Sequence, residues 1–282
     1  MLKQRVVTAV LLLAILLPAL FYPSYVPFCT VTLVLITAGG WEWARLNGYG
    51  QQVAIVVGLV CLTACLLAWQ AGWLLRPLPL AWAALGTLWV LGGAWLLHAG
   101  VDGWGRLAKS LRLFMGVSAL VFAWLALAQA RVGGINFLLS LLALVWAADI
   151  AAYFAGKAMG GRWIRRKLAV SISPGKTWEG ALGGLLGVLL LALGWVWLDR
   201  QGTMDGDSFF TLLSARHGLG LMLLAAAFMA AMSVVGDLVE SLVKRSAGAK
   251  DSSGLLPGHG GVLDRVDALL PTLPLALLLA SI

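Results

Sequence analysis

Long runs of apolar residues dominate this chain of 282 residues, and they constrain its fold more than any other feature. A helix needs about 20 mainly apolar residues to cross the roughly 30 Å hydrocarbon core of a bilayer. Runs that meet or approach this length lie near residues 6–22, 26–44, 53–72, 78–97, 112–130, 135–156, 178–198, 217–236 and 263–281. Only 11% of the residues are charged, against about 25% in soluble domains. The sequence therefore predicts an all-α polytopic membrane protein with about nine transmembrane helices.

Basic residues are distributed unevenly between the alternating connections of these spans. If the N-terminus is cytoplasmic, 16 of the 20 Lys and Arg residues fall on the cytoplasmic side. This bias follows the positive-inside rule and predicts a multi-pass protein of the cytoplasmic membrane with its N-terminus inside. The apolar run that follows Lys3 and Arg5 lacks a small-residue cleavage motif, so we interpret it as a retained first helix.

Loop polarity divides the chain into two regions. Residues 1–110 are expected to form about four nearly uncharged spans, and residues 111–282 a membrane region that carries the catalytic site. Two long polar loops of the second region, 157–177 and 237–262, are predicted to face the cytoplasm and to form that site, because charge is costly near a bilayer. In the seventh span, a row of glycines predicts close packing against another helix. These are Gly180, Gly183, Gly184 and Gly187.

Carboxylates gather at the predicted cytoplasmic ends of the sixth to ninth spans. They are Asp149, Glu179, Asp237, Glu240, Asp264 and Asp267. The residues of the pair Asp237 and Glu240 share one helical face, as do those of the pair Asp264 and Asp267. Two such faces could hold one or two Mg²⁺ ions whose other ligands are phosphate oxygens and water. Glu240 lies four residues before Lys244, which predicts a helical salt bridge, whereas Asp237 and Asp264 have no comparable local partner. We therefore expect Asp237 and Asp264 to be the metal ligands.

Basic residues and glycines near these carboxylates suit phosphate binding. Lys244, Arg245 and Lys250 could neutralise phosphate charge, and Gly260 and Gly261 allow backbone N–H groups to approach an anion. In the other loop, hydroxyls and a lysine precede the helix that contains Glu179, and this arrangement is also typical of anion binding. These residues are Ser173, Lys176 and Thr177.

Two further features of the loops leave more than one interpretation. His259 could donate to a phosphate, act as a general acid–base, or cap its glycine-rich turn. A basic patch in the first loop is better explained by contact with acidic headgroups than by catalysis. It comprises Arg162, Arg165, Arg166 and Lys167. The chain has no Walker-type phosphate loop and none of the common zinc-protease or serine-hydrolase motifs, which argues against those classes.

The pattern of these residues resembles a known family. The resemblance is densest in the segment 241–267, at a set of fixed positions. These are Ser241, Val243, Lys244, Arg245, Lys250, Asp251, Ser253, Leu256, Pro257, His259, Gly260, Gly261, Val262, Asp264, Arg265, Val266 and Asp267. This segment resembles the signature of phosphatidate cytidylyltransferases, also called CDP-diacylglycerol synthases, and more than a dozen fixed positions make the match specific. Upstream, the resemblance extends to Ser173–Gly180, Asp149–Lys157, Ser233–Asp237 and Lys3–Val6.

The resemblance implies transfer of a cytidylyl group from CTP to phosphatidic acid, giving CDP-diacylglycerol and pyrophosphate for phospholipid synthesis. It implies Mg²⁺, with K⁺ as a second cation, at the positions of Asp237 and Asp264. It also implies a nine-helix homodimer, and no nucleic-acid partner is expected. We expect catalytic roles for Lys244, Arg245, Lys250 and His259, and substrate contacts from Asp149, Ser173, Lys176, Thr177, Glu179, Asp251, Gly260, Gly261, Arg265 and Asp267.

Two other classes of function agree less well with this sequence. CDP-alcohol phosphotransferases and polyprenyl transferases also use membrane aspartates with Mg²⁺, but their D-x2-D-G and D-x3-D repeats do not occur here. A transporter or channel would need charged or broken-helix residues near the middle of the membrane. Here the first five spans are nearly uncharged and the polar groups gather at one predicted face, which disfavours a transporter.

Overall fold

The protein is a bundle of long helices. A computed structural model describes residues 2–164, 166–202 and 206–282, and Arg165 of the predicted basic patch lies outside this part. The helices are α1 (Leu2–Phe21), α2 (Val26–Leu46), α3 (Gln51–Gln70), α4 (Pro79–Thr87), a π-helical turn (Leu88–Gly92), α5 (Gly93–Arg106), α6 (Lys109–Gly133), α7 (Ile135–Met159), α8 (Trp178–Arg200), α9 (Phe209–Ser246), α10 (Leu263–Val266) and α11 (Leu269–Ser281). Besides these, the described residues show two isolated β-bridges, Ala169–Ser173 and Leu256–Gly260. The prediction of an all-α fold is confirmed.

The long helices match the predicted spans. Within the described residues, eight helical segments are long and apolar enough to cross a membrane, and α4, the π-helical turn and α5 together form one of them. The predicted ninth span, 263–281, divides into α10 and α11. With 13 residues, α11 is about 20 Å long at 1.5 Å per residue, which is shorter than a bilayer core. It is nevertheless largely buried against α4, α6 and α9.

Helix α9 is longer than the span predicted at 217–236. It bends at Gly218, whose φ of 82° lies outside the helical range and suits a residue without a side chain. It then continues to Ser246, so residues 237–246, predicted as loop, are helical, and the polar segment that follows covers residues 247–262. As a result, Asp237 and Lys244 are separated by about two helical turns and lie on the same side of α9.

Helices α7 and α8 pack closely along the predicted row of glycines. A Cβ atom at Gly184 would lie 2.8 Å from the carbonyl oxygen of Ala148, and one at Gly183 would lie 2.1 Å from the Cβ atom of Ala155. Backbones can approach this closely only where the side chains are small. The predicted close packing is confirmed, and it joins the two helices that form one wall of the site.

Contacts between the helix ends agree with the prediction that successive connections lie at alternating ends of the bundle. At one end of the bundle, Arg131 on α6 donates from Nε to the carbonyl oxygen of Leu20, 3.0 Å away, at the end of α1. At the other end, Arg245 donates from Nε to the carbonyl oxygen of Ile172 at 3.3 Å. The second contact connects the two polar segments, so the structure brings both to the same end of the bundle.

Candidate active site

A cavity of about 440 Å³ lies between α7, α8 and α9 at the end that carries the polar segments. Apart from Tyr153 of α7, five charged or hydroxyl-bearing residues from α7, α9 and the segment before α8 line the cavity. These residues are Asp149, Lys157, Lys176, Thr177 and Asp237. Four of the five are predicted site residues, and they are up to 88 positions apart in sequence (149 to 237). The structure therefore brings predicted residues from both polar loops together in one cavity.

Lys176 and Asp237 form an ion pair across this cavity. The Nζ atom of Lys176 contacts Oδ2 of Asp237, and both side chains remain partly exposed. Beside them, the Oγ1 atom of Thr177 accepts the backbone N–H of Gly180 at 3.1 Å and so caps the start of α8. The positive end of the α8 dipole and Lys176 are thus directed toward the same space, an arrangement that favours an anion.

Lys244 lies between two carboxylates further along α9. Its Nζ atom contacts Oε2 of Glu240 and lies 2.5 Å from Oδ1 of Asp264. The predicted Glu240–Lys244 salt bridge is therefore confirmed. The side chains of Glu240 and Asp264 are only 3% and 6% exposed, so this ionic group is largely shielded from water.

The second carboxylate oxygen of Asp264 organises the turn that precedes α10. Oδ2 accepts the backbone N–H and the hydroxyl of Ser252, both at 2.9 Å, and the N–H of Gly261 at 2.7 Å. Burial acts to raise the pKa of Asp264, but hydrogen bonds from Lys244, Gly261 and Ser252 hold it below its usual value. Asp264 is therefore a charged group with both oxygens engaged.

Asp267 interacts electrostatically both with the acidic residues of the cavity and with Lys244. Burial raises the pKa of Asp267 above its usual value, and the negative charges of Asp237 and Asp149 act in the same direction, while Lys244 opposes them. The chain can pass this close to α9 because position 236 is glycine: a Cβ atom there would lie 2.5 Å from the carbonyl oxygen of Asp267. The acidic groups of α7, α9 and the turn after α10 thus influence one another.

The predicted metal ligands are each paired with a lysine. Neither Asp237 nor Asp264 has an ionic partner nearby in sequence, as expected, but Lys176 and Lys244 reach them from other elements. In the part of the chain that the structure describes, no three His, Cys, Asp or Glu side chains converge on a common metal position. Mg²⁺ commonly takes only one or two protein carboxylates and completes its shell with phosphate oxygens and water. Asp237 fits such a role directly, whereas Asp264 fits it if Lys244 leaves Oδ1.

Two predicted substrate contacts near the first polar loop, Ser173 and Glu179, lie outside the cavity lining. Ser173 closes a tight turn by donating its backbone N–H to the carbonyl oxygen of Ala169 at 2.8 Å. Glu179 is buried, and its Oε1 accepts the backbone N–H groups of Trp163 and Ile164 at 3.0 and 2.9 Å. In this arrangement Glu179 holds the first polar loop in place and has no exposed surface to offer a substrate.

The remaining predicted residues belong to the second polar segment or border it. Arg245 is bound through its Nε to Ile172 and through a terminal nitrogen to the carbonyl oxygen of Ala249 at 3.2 Å. Arg265 donates twice to the carbonyl oxygen of His259, at 2.6 and 3.1 Å. Lys250 and Asp251 are exposed on the same segment. A Cβ atom at Gly260 would lie 2.6 Å from Oδ2 of Asp264, so glycine is needed for the turn to surround that carboxylate.

Sequence reasoning missed Glu42 and Lys157. Glu42 is fully buried on α2, yet its carboxylate accepts four hydrogen bonds from residues 252–263. It is the single charged residue within the predicted span 26–44, and an ionisable residue in a membrane span is a signal of function. Lys157 lines the cavity from the last turn of α7, and its position on the same helix as Asp149 was the available signal.

Comparison with known proteins identifies the relatives of this chain. The cytidylyltransferase family matches residues 3–282. A phosphatidate cytidylyltransferase of Pseudomonas aeruginosa is 41% identical over 281 residues, which cover 97% of this chain and 95% of that protein. Proteins of the same name from Haemophilus influenzae and Brucella suis are each 34% identical, covering 97% and 100% of this chain and 96% and 94% of their own lengths.

Proposed function

Because the chain belongs to the cytidylyltransferase family, we propose that it is a phosphatidate cytidylyltransferase, which makes CDP-diacylglycerol and pyrophosphate from CTP and phosphatidic acid. The observation that best supports this proposal is the cavity in which Lys176, Thr177 and Asp237 meet beside the Lys244–Asp264 pair. It offers cations and carboxylates at one end of a membrane bundle. Such a place suits a reaction between a soluble nucleotide and a lipid that stays in the bilayer.

The proposed reaction needs positioning and charge neutralisation more than proton transfer. An oxygen of the lipid phosphate attacks the α-phosphorus of CTP, the bond between the α-phosphorus and the bridging oxygen breaks, and pyrophosphate leaves with the bonding electrons. The attacking phosphate is already anionic, so no base has to activate it. Catalysis of phosphoryl and nucleotidyl transfer rests largely on geometry and electrostatic stabilisation.

Individual roles follow from where the side chains lie. Lys176 and the capped start of α8 would bind a phosphate of either substrate in the cavity. Lys244, Arg245 and Lys250 would bind the departing pyrophosphate, since they lie at the end of α9 and on the segment after it. The hydrogen bond from Arg245 Nε to the carbonyl oxygen of Ile172 keeps the Arg245 side chain at the junction of the two polar segments.

A divalent cation is part of the proposal. Asp237 and Asp264 would hold Mg²⁺, and K⁺ is the proposed second cation. When bound, Mg²⁺ would offset negative charge on the phosphates. We further propose that the protein is a homodimer of the cytoplasmic membrane with the cavity facing the cytoplasm, since the basic residues concentrate at that end.

The test is incubation of the purified protein in detergent with CTP labelled on its α-phosphate, phosphatidic acid and Mg²⁺, followed by lipid extraction. We expect label in the lipid phase and an equal amount of pyrophosphate, and no labelled lipid when a chelator removes divalent cations. A CDP-alcohol phosphotransferase would instead consume CDP-diacylglycerol and leave CTP intact, and a transporter would form no labelled lipid. Either result would refute the proposed activity.

A further inference from the structure

Glu42 is a buried carboxylate that binds the second polar segment from the opposite half of the protein. It lies on α2 with no exposed surface. Its Oε1 accepts the hydroxyl of Ser253 at 2.5 Å and the N–H of Val262 at 2.9 Å, and its Oε2 accepts the N–H of Leu263 at 2.8 Å and the hydroxyl of Ser252 at 3.2 Å. Each of the four donors belongs to residues 252–263, so a single side chain fixes both ends of that turn.

The same turn also surrounds Asp264. The Ser252 hydroxyl is within hydrogen-bonding distance of both carboxylates, 3.2 Å from Glu42 Oε2 and 2.9 Å from Asp264 Oδ2. Having one proton, it can donate to only one of them at a time. Gly261 lies between the two acids: a Cβ atom there would be 2.1 Å from the Ser252 hydroxyl oxygen and 2.3 Å from Glu42 Oε1. Glu42, Ser252, Gly261 and Asp264 therefore form one continuous group.

We propose that Glu42 is a positioning residue of the active site. It holds residues 252–263 in the conformation that keeps Asp264 against Lys244. Glu42 itself does not line the cavity, so it acts through the turn and not by touching substrate. This inference rests on the proposed function for its kinetic consequence, but its structural consequence can be measured separately.

The chain offers a matched control in Asp199. This carboxylate, at the end of α8, also accepts several hydrogen bonds: from Asn136 at 3.0 Å, from the N–H of Ser208 at 3.1 Å and from the hydroxyl of Thr211 at 2.6 Å. It lies at the opposite end of the bundle from the cavity. Glu42→Gln and Asp199→Asn each replace a hydrogen-bonded carboxylate by an amide of nearly the same size, but only the first alters the turn beside Asp264.

Two measurements separate positioning from simple stabilisation. The first is hydrogen–deuterium exchange of the full-length protein in detergent: Glu42→Gln should increase exchange of peptides that contain Val262 and Leu263 and leave the loop held by Glu179 unchanged. The second is steady-state kinetics: Glu42→Gln should raise the KM for CTP at least fivefold and lower kcat/KM at least tenfold. A loss of folded protein alone lowers the apparent maximal rate without changing KM, which is the result expected for Asp199→Asn.

The outcomes either support or overturn the proposal. Unchanged KM and unchanged exchange in folded Glu42→Gln would overturn it, as would an Asp199→Asn variant with the same rise in KM. If Glu42→Gln does not fold, Ser253→Ala removes one donor to Glu42 without touching Asp264, and it should raise exchange at Val262 and KM by a smaller factor; no change in either would overturn the proposal. If the wild-type protein forms no labelled lipid, the proposed function fails, and exchange alone then decides the role of Glu42.

Discussion

Removing the charge of Lys244 should destabilise the protein through the carboxylates it leaves behind. Lys244→Met keeps a long side chain of similar size but takes the counter-ion from Glu240 and from Oδ1 of Asp264, whose side chains are 3% and 6% exposed. Breaking a buried ion pair from one side typically costs about 3–5 kcal/mol, because an uncompensated charge remains. At about 2–4 °C per kcal/mol for a protein of this size class, the melting temperature should fall by about 10 °C.

A second substitution separates stability from activity. Glu240→Gln together with Lys244→Met removes one of the two charges that have lost their partner, and the other, on Asp264, keeps its hydrogen bonds from Ser252 and Gly261, so most of the lost stability should return. Activity should not return, because Lys244 is proposed to bind phosphate, and loss of one such charged contact costs about 10²–10³-fold in rate. The single variant Glu240→Gln leaves the Lys244–Asp264 contact intact and should be nearly as stable as wild type.

Thermal unfolding in detergent and pyrophosphate release from CTP measure the two quantities on the same samples. A double variant as unstable as Lys244→Met would show that the uncompensated Glu240 charge is not the cause of the loss. A double variant with wild-type turnover would remove Lys244 from the proposed machinery.

Two further predictions concern the cavity and its walls. Asp237→Asn removes the charge that pairs with Lys176, so it should lower pyrophosphate release at least 100-fold, about the factor that loss of one electrostatic contact costs. The protein should stay folded and membrane-inserted. A wild-type rate would exclude Asp237 from the site. Gly184→Val should lower the free energy of unfolding by about 1–3 kcal/mol through overpacking against the Ala148 carbonyl. Gly194→Ala on the same helix is the control, because no atom lies within 4 Å of its added Cβ atom, and equal loss in both variants would contradict the packing argument.

Much of the fold could be predicted because its determinants are local. Apolar length predicts a membrane span, and eight of the nine predicted spans are helical segments of sufficient length. Small-residue spacing predicted that α8 packs closely against another helix, and the structure shows that this helix is α7. The end of α9 was harder to predict: the ten residues from Asp237 to Ser246 are polar enough to resemble a loop, but they continue the helix and place Glu240 and Lys244 one turn apart.

The partners of the acidic residues could be predicted only where they are close in sequence. The Glu240–Lys244 pair follows from a spacing of four residues on a helix. Lys176 and Asp237 are 61 residues apart, and Glu42 and Leu263 are 221 residues apart, so their contacts depend on how the helices pack. The lone charge at Glu42 signals importance, but no periodicity identifies the four donors that surround it.

The ion pairs of the site connect phosphate binding with cation binding. Lys176 and Lys244 are proposed to bind phosphate, and they contact Asp237 and Asp264, which are proposed to bind Mg²⁺. A phosphate that takes a lysine away from its aspartate therefore frees a carboxylate oxygen, and freeing that oxygen without a cation would leave negative charges facing one another. CTP and Mg²⁺ should accordingly strengthen each other's binding by the same factor.

Calorimetric titration of CTP into the detergent-solubilised protein, with and without Mg²⁺, measures this factor. We expect at least tenfold tighter binding with the cation, or about 1.4 kcal/mol of coupling. The coupling should shrink in the double variant Lys176→Met/Asp237→Asn, because that variant lacks one of the two exchanging pairs. Mg²⁺ also binds CTP in solution, but this binding is the same in both titrations. The difference in coupling between wild type and this variant therefore measures the contribution of the Lys176–Asp237 pair. Equal coupling in both proteins would show that Asp237 does not exchange Lys176 for metal when the nucleotide binds.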